Sequence, residues 1–311
     1  MSDARPPRHY RIDRVMSLIR LASANEARTI LEAEDDFTRA LGGFDRSFRM
    51  RTTEAVSGAA VRRYLAEQAL DFTAEEAEAW EGAISAVARG ARGLGRMLPD
   101  EVLVAKTTGR EERNHAYTRA NMIVLPAARV ERFRGERAIY LLAHELFHVA
   151  SRASSALRDA TYALLGFTAI APIEPPLELD TRRMTNPDAH RLGHWVRLGE
   201  RAVVPLLTSR SPLAEVLSAP TVLEAVRVSL LEIDPERGAV VRGPDGAPIV
   251  LDASETDWAR KLQRNTHYTI HPEEVLADNH ALMVRRRLGR TAPAPDAAFL
   301  DAFERALATL H

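Results

Sequence analysis

Hydrophobic and polar positions alternate along this chain in two rhythms. From about Arg11 to Leu98 the rhythm is helical, with Val15, Leu18, Ile19, Leu21, Ile30 and Leu31 recurring at roughly helical spacing. Thr73 and Glu76 stand as a capping box at the start of a further helix. Gly90, Gly93 and Gly95 loosen that helix's end, and Pro99-Asp100 closes it. Two strand-like runs follow, Glu101–Thr107 and Tyr117–Leu125, separated by the polar segment Thr108–Asn114, which predicts a hairpin. Pro126 ends the second run. A helix is predicted from about Glu131 to Ser154, and another at Leu157–Leu165 stops at Gly166.

From Phe167 the pattern changes to short β-type runs. They lie at His194–Leu198, Ala202–Leu207, Val226–Ile233, Ala239–Arg242 and Pro248–Leu251. Asp234–Gly238 and Gly243–Gly246 are hairpin-type turns between them, and Asn186-Pro187-Asp188 marks a turn. Helices return at Trp258–Arg264, Pro272–Leu288 and Asp296–Leu310. The expected fold is therefore α+β. Residues 1–100 form a helical region packed on the core, 101–311 form the main domain, and a β-rich insertion at about 167–255 flanks the cleft.

Composition narrows the function classes. The net charge of −1 gives no broad electrostatic footprint for nucleic acid. Cysteine is absent, which excludes disulfides, thiolate ligands and a cysteine nucleophile together. Met1–Arg20 is charged and lacks an uninterrupted apolar core, so no secretory signal is expected. No apolar run approaches the roughly 18 residues of a membrane span. The expectation is a cytoplasmic protein, or one exported without a cleaved signal.

The chemistry concentrates in His144-Glu145-Leu146-Phe147-His148. On a helix His144 and His148 leave the same face one turn apart, and both imidazoles can bind one zinc ion. Glu145 projects beside them, placed to take a proton from a water that the metal activates. Without a metal these residues would be a polar seam, and unpaired imidazoles in so apolar a segment are costly to bury. A zinc ion removes that cost and gives Glu145 a use. The candidate third ligand is Glu274, in His271-Pro272-Glu273-Glu274-Val275-Leu276-Ala277-Asp278. Pro272 suits the first turn of a helix, and Asp278 shares a face with Glu274, placed to orient a ligand imidazole. His271 is an alternative ligand at i, i+3 from Glu274, but that choice would leave Asp278 without its role.

H-E-x-x-H followed by E-x-x-x-D on a later helix resembles the gluzincin zinc metallopeptidases. The wider contexts Ala143–Arg152 and Asn186-Pro187-Asp188 are similar to uncharacterised bacterial metallopeptidases. The resemblance implies a zincin-like core and one Zn2+ per chain on His144, His148 and Glu274. It also implies Glu145 as general base, Asp278 behind a ligand, and Tyr117–Leu125 as an edge strand pairing with an extended substrate. The departure is the spacing between the two motifs, 274 − 148 = 126 residues.

A peptidase also needs a donor for the developing oxyanion, and Tyr268 or His267, just ahead of the third-ligand helix, are the candidates. His190 and His194 read as surface or packing histidines, and Asp35-Asp36, Glu75-Glu76 and Glu111-Glu112 as solvated acidic pairs. The function expected is zinc-dependent hydrolysis of a peptide or protein substrate. The alternatives are a zinc hydrolase of a non-peptide amide, and an inactive, metal-stabilised interaction protein.

Overall fold

The run Val102-Leu103-Val104-Ala105 is apolar at every position because both of its faces are covered. Val102 and Val104 join the core beneath the helices Ala74–Gly90 and Glu136–Ala153, while Leu103 and Ala105 join a second core beneath Ala24–Glu32 and Gly58–Glu67. The computed structural model that places them describes residues 8–12, 18–290 and 294–310. It is a mixed α+β fold with two sheets.

The first sheet contains β1 (Tyr10–Arg11), β2 (Leu18–Leu21), β3 (Ala69–Leu70), β4 (Glu101–Thr107), β5 (Tyr117–Arg119) and β6 (Met122–Pro126). Its order is β1-β2-β4-β6-β5, with β3 pairing the end of β4. This corrects two expectations. Leu18–Leu21 is a strand parallel to β4, since so short an apolar run carries no decisive period; Val15 lies outside the described residues. The run Tyr117–Leu125 is broken at Ala120-Asn121, where Ala120 takes φ 49°. β6 lies parallel to β4 and β5 folds back on β6 as the edge, so β4 and this run form no hairpin. The Asn121 side chain holds the turn by donating to Glu101 O at 2.9 Å. The sheet thus draws strands from both sides of residue 100.

The predicted helix at Glu131–Ser154 divides into Ala127–Arg132 and the motif helix Glu136–Ala153, separated at Gly135. The motif helix lies against Pro272–Arg287, which is buried from Pro272 through Val284. Helix Ala74–Gly90 closes on the same pair. A Cβ on Gly90 would sit 2.7 Å from Val284 Cγ1 and 3.0 Å from Val284 O, so this crossing requires glycine. The Thr73–Glu76 capping box forms as expected.

The β-rich segment is as legible as any part of the chain. It contains β7 (Phe167–Ala169), β8 (Arg183–Met184), β9 (His194–Leu198), β10 (Arg201–Ser209), β11 (Val226–Asp234), β12 (Ala239–Val240) and β13 (Val250–Asp252). Every pairing among them is antiparallel. Phe167, Val196, Val203 and Leu230 enter the main core, so the segment packs against the rest of the chain. No helix among the described residues is long and apolar enough to cross a membrane.

Candidate metal centre

Helix Pro272–Arg287 begins at His271, whose Nδ1 accepts from Glu273 N–H at 3.2 Å, followed by Pro272 in the first turn. His271 therefore caps the helix and stands outside the ligand group. The helix then buries Glu273, Glu274, Asp278, Asn279 and His280 together. Carboxylates are buried in this way only when partnered or bound to cations. Here the partners are the motif helix.

His144, His148 and Glu274 bring their ligand atoms within 4.8 Å of one another and can hold a metal ion. His144 Nε2 lies 3.2 Å from Glu274 Oε2, and His148 Nε2 lies 3.6 Å from the same oxygen. Ligands about 2.0–2.1 Å from a tetrahedral cation sit about 3.3 Å apart, so the spacing fits. The remaining imidazole nitrogens are engaged. His144 Nδ1 meets Asp278 Oδ1 at 2.8 Å, and His148 Nδ1 meets Glu273 Oε1 at 3.1 Å. Each partner assigns the proton to Nδ1 and leaves the Nε2 lone pair for a cation.

These partners are themselves held. Asp278 accepts from the Tyr140 hydroxyl at 2.8 Å and from the Thr266 hydroxyl. Glu273 accepts from Ser151 at 2.9 Å and Tyr162 at 2.8 Å. Asn186 Nδ2 donates to Glu274 Oε1 at 2.8 Å, which turns Oε2 toward the imidazoles.

Electrostatics follow from this crowding. Burial opposes charge on His144, but its bonds to Asp278 and Glu274 raise it to about 10. Burial likewise works against the Glu274 carboxylate, and the two imidazoles still hold it well below the usual carboxylate range. Burial, and then Asp188, push the Glu145 carboxyl up to about 7, outweighing the opposite pull of His144 and His148. Its Oε2 is buried without a hydrogen-bond partner.

A cavity of about 630 Å³ opens over the centre, lined by the ligands, Glu145 and Asp278, with an apolar wall including Met184, Leu207, Leu223 and Ile270. Tyr268 lines it half-buried, its ring centroid 6.5 Å from that of His144, and burial raises its hydroxyl well above 10. His267 does not reach the cavity; it is exposed and its Nδ1 meets Gln263 Nε2 at 2.8 Å. The loop turns its ring outward while turning Tyr268 inward.

Other expectations need correction. Glu111 and Glu112 are buried, and Glu112 pairs with Arg49 at 2.6 Å on the cavity wall. Glu76 pairs with Lys106 at 2.7 Å, and Asp35 with Arg119 at 2.8 Å. Asp36 is half-buried and pairs with Arg39 and Arg191. His190 and His194, as expected, form no ligand group among the described residues, and both line a different cavity. The edge strand β5 is also less open than expected, because Thr118 N–H donates to Asp188 Oδ1 at 2.9 Å.

Glu273, Asn186 and Asp188 carry contacts that sequence reasoning did not assign. For Glu273 a signal existed: adjacent helical residues diverge by about 100°, so Glu273 and Glu274 must face different neighbours. No family model, curated protein or solved structure matches the chain.

Proposed function

We propose that this protein is a zinc-dependent peptidase with a zincin-like core. The observation that carries the reading is the buried, unpartnered Oε2 of Glu145 beside the His144–His148–Glu274 group. A structural metal has no use for such a carboxylate, whereas hydrolysis requires a base in that place. His144, His148 and Glu274 would hold the ion, with Asp278 and Glu273 fixing the two imidazoles. Zinc, when bound, supplies Lewis acidity toward the substrate carbonyl and toward water.

The remaining work falls to the chain. Glu145 takes a proton from water as its oxygen adds to the carbonyl carbon. The C–N bond then breaks, and the same proton passes to the leaving nitrogen, giving a carboxylate and an amine. The Tyr268 hydroxyl, kept protonated by burial, donates to the oxyanion.

The test is elemental analysis beside activity on a peptide library, with wild type, Glu274→Ala and Glu145→Gln. The expected result is about one zinc per chain, weakened by Glu274→Ala, and turnover lost in Glu145→Gln with zinc retained. Wild-type rates in Glu145→Gln would sink the mechanism. The second reading, hydrolysis of a small non-peptide amide, draws support from the partly closed edge of β5. A screen of acylated amines against the same variants separates the two.

A further inference from the structure

The metal cavity and a second cavity of about 700 Å³ meet at a single wall. Pro187 and Asp188 are the only described residues that line both. The wall stands on β5. Thr118 donates its N–H at 2.9 Å, and its hydroxyl, to Asp188 Oδ1. Arg152 donates to Thr118 O at 3.4 Å and to Pro187 O at 3.2 Å. Both main-chain groups that Thr118 turns away from β6 are therefore engaged by the chain itself.

An extended peptide binds a strand edge through such groups. On the metal side of the wall the edge continues to Ala116, which lines the metal cavity, and on the far side to Ala120, which lines the second one. A peptide lying along Ala116 meets Asp188 before it can pass Thr118. One of its ends must stop there.

Charge decides which end. An Asp188 carboxylate oxygen lies within 4.8 Å of ligand atoms on Glu145 and His148, and Glu145 Oε2, buried and unpartnered, lines the same cavity. The cation paired with Asp188, Arg152 at 3.5 Å, lines the second cavity and not this one. Arg49, which lines the metal cavity and bonds to Thr185 O, is taken up by Asp45 and Glu112, and Arg129, Arg137 and Arg285 line the same cavity. At the closed end the Asp188 and Glu145 carboxylates line the metal cavity, while the guanidinium paired with Asp188 lines the second cavity. A terminal carboxylate is repelled there and an ammonium group attracted.

We infer that the metal cavity is an amino-terminal exopeptidase site, in which Asp188 receives the α-ammonium group of a peptide. This rests on the peptidase reading above and names its substrate class. Water adds across the first peptide bond, the C–N bond breaks, and the products are one free amino acid and the peptide shortened by that residue. The Asn186–Asp188 turn then has two positioning tasks, orienting Glu274 and ending the cleft.

The test uses the full-length, zinc-loaded protein with peptides matched in sequence, one set with free N-termini and one N-acetylated. The wild type should release first residues from the free set and leave the acetylated set intact. Asp188→Asn keeps an acceptor for Thr118 and drops the charge. Its KM on the free set should rise about ten- to hundredfold, as for loss of a charged hydrogen bond, with kcat changed much less. A second measurement avoids turnover: a free dipeptide should bind zinc-loaded Glu145→Gln more tightly than its acetylated form, by calorimetry. Internal cleavage of acetylated peptides at comparable rates, equal binding of the two dipeptides, or an unchanged KM in folded Asp188→Asn overturns the assignment and leaves the peptidase reading intact. No hydrolysis of either set by zinc-loaded wild type overturns both.

Discussion

His148 Nδ1 lies 3.1 Å from Glu273 Oε1, while its Nε2 lies 3.6 Å from Oε2 of the next residue, Glu274. Two adjacent acidic residues therefore address opposite sides of one imidazole. Glu273 fixes the ring and its tautomer, and Glu274 shares the ring's other nitrogen with a cation.

Glu273→Gln keeps the shape and weakens the acceptor for His148. Zinc affinity should fall about ten- to hundredfold. Competition with a chromophoric chelator measures it, and an unchanged affinity would show that Glu273 serves Ser151 and Tyr162 only.

His144 titrates at about 10 against an ordinary value of 6.5, and a cation must displace its proton. Zinc affinity should therefore climb as pH rises toward 10, with proton release seen in buffers of different ionisation enthalpy. The linkage for folding has the opposite sign. A folded value above the unfolded one stabilises fully below pH 6.5 and is lost as pH rises through about 10. In chelator, Tm should fall across that window, and saturating zinc should flatten the fall. A chelated protein whose Tm is flat from pH 6.5 to 10 would contradict this.

Arg49 is buried between Asp45 at 2.7 Å and Glu112 at 2.6 Å, and it also donates to Thr185 O at 2.8 Å. Arg49→Ala leaves two buried carboxylates without their counter-ion, a loss of about 3–5 kcal/mol. Urea unfolding should report it. A loss below about 1 kcal/mol would mean that protonation of Glu112, whose carboxyl burial already pushes up to about 7, absorbs the change.

Gly90→Ala puts a methyl against Val284, including its backbone oxygen at 3.0 Å. Overpacking of this kind costs about 1–3 kcal/mol, although alanine is otherwise the better helix former. Thermal unfolding checks the sign, and a raised Tm would show that the helices separate without strain.

Much of this was legible in the sequence, for identifiable reasons. The His144–His148 pair depends only on helical spacing, and Glu274 with Asp278 on the same rule. His194–Leu198 and the Asp234–Gly238 turn follow from local alternation and turn chemistry. What sequence did not reveal was long-range. Only Asn121 hints at the break in Tyr117–Leu125, since neither glycine nor proline stands there. Glu112 looks solvated until Arg49, 63 positions earlier, is placed beside it. Asp188 gains its meaning only from Thr118, and Asn186 only from Glu274.

The span between the two halves of the centre has a topological consequence. An ion shared by His148 and Glu274 ties together points 274 − 148 = 126 residues apart. By loop-closure entropy, a crosslink over that length removes on the order of 4–5 kcal/mol of freedom from the unfolded chain. The whole β-rich segment lies inside the loop so closed, and with it the Asn186–Asp188 turn. A bound cation would therefore act as a clasp on the chain's connectivity, tying together the two ends of that segment in addition to its packing.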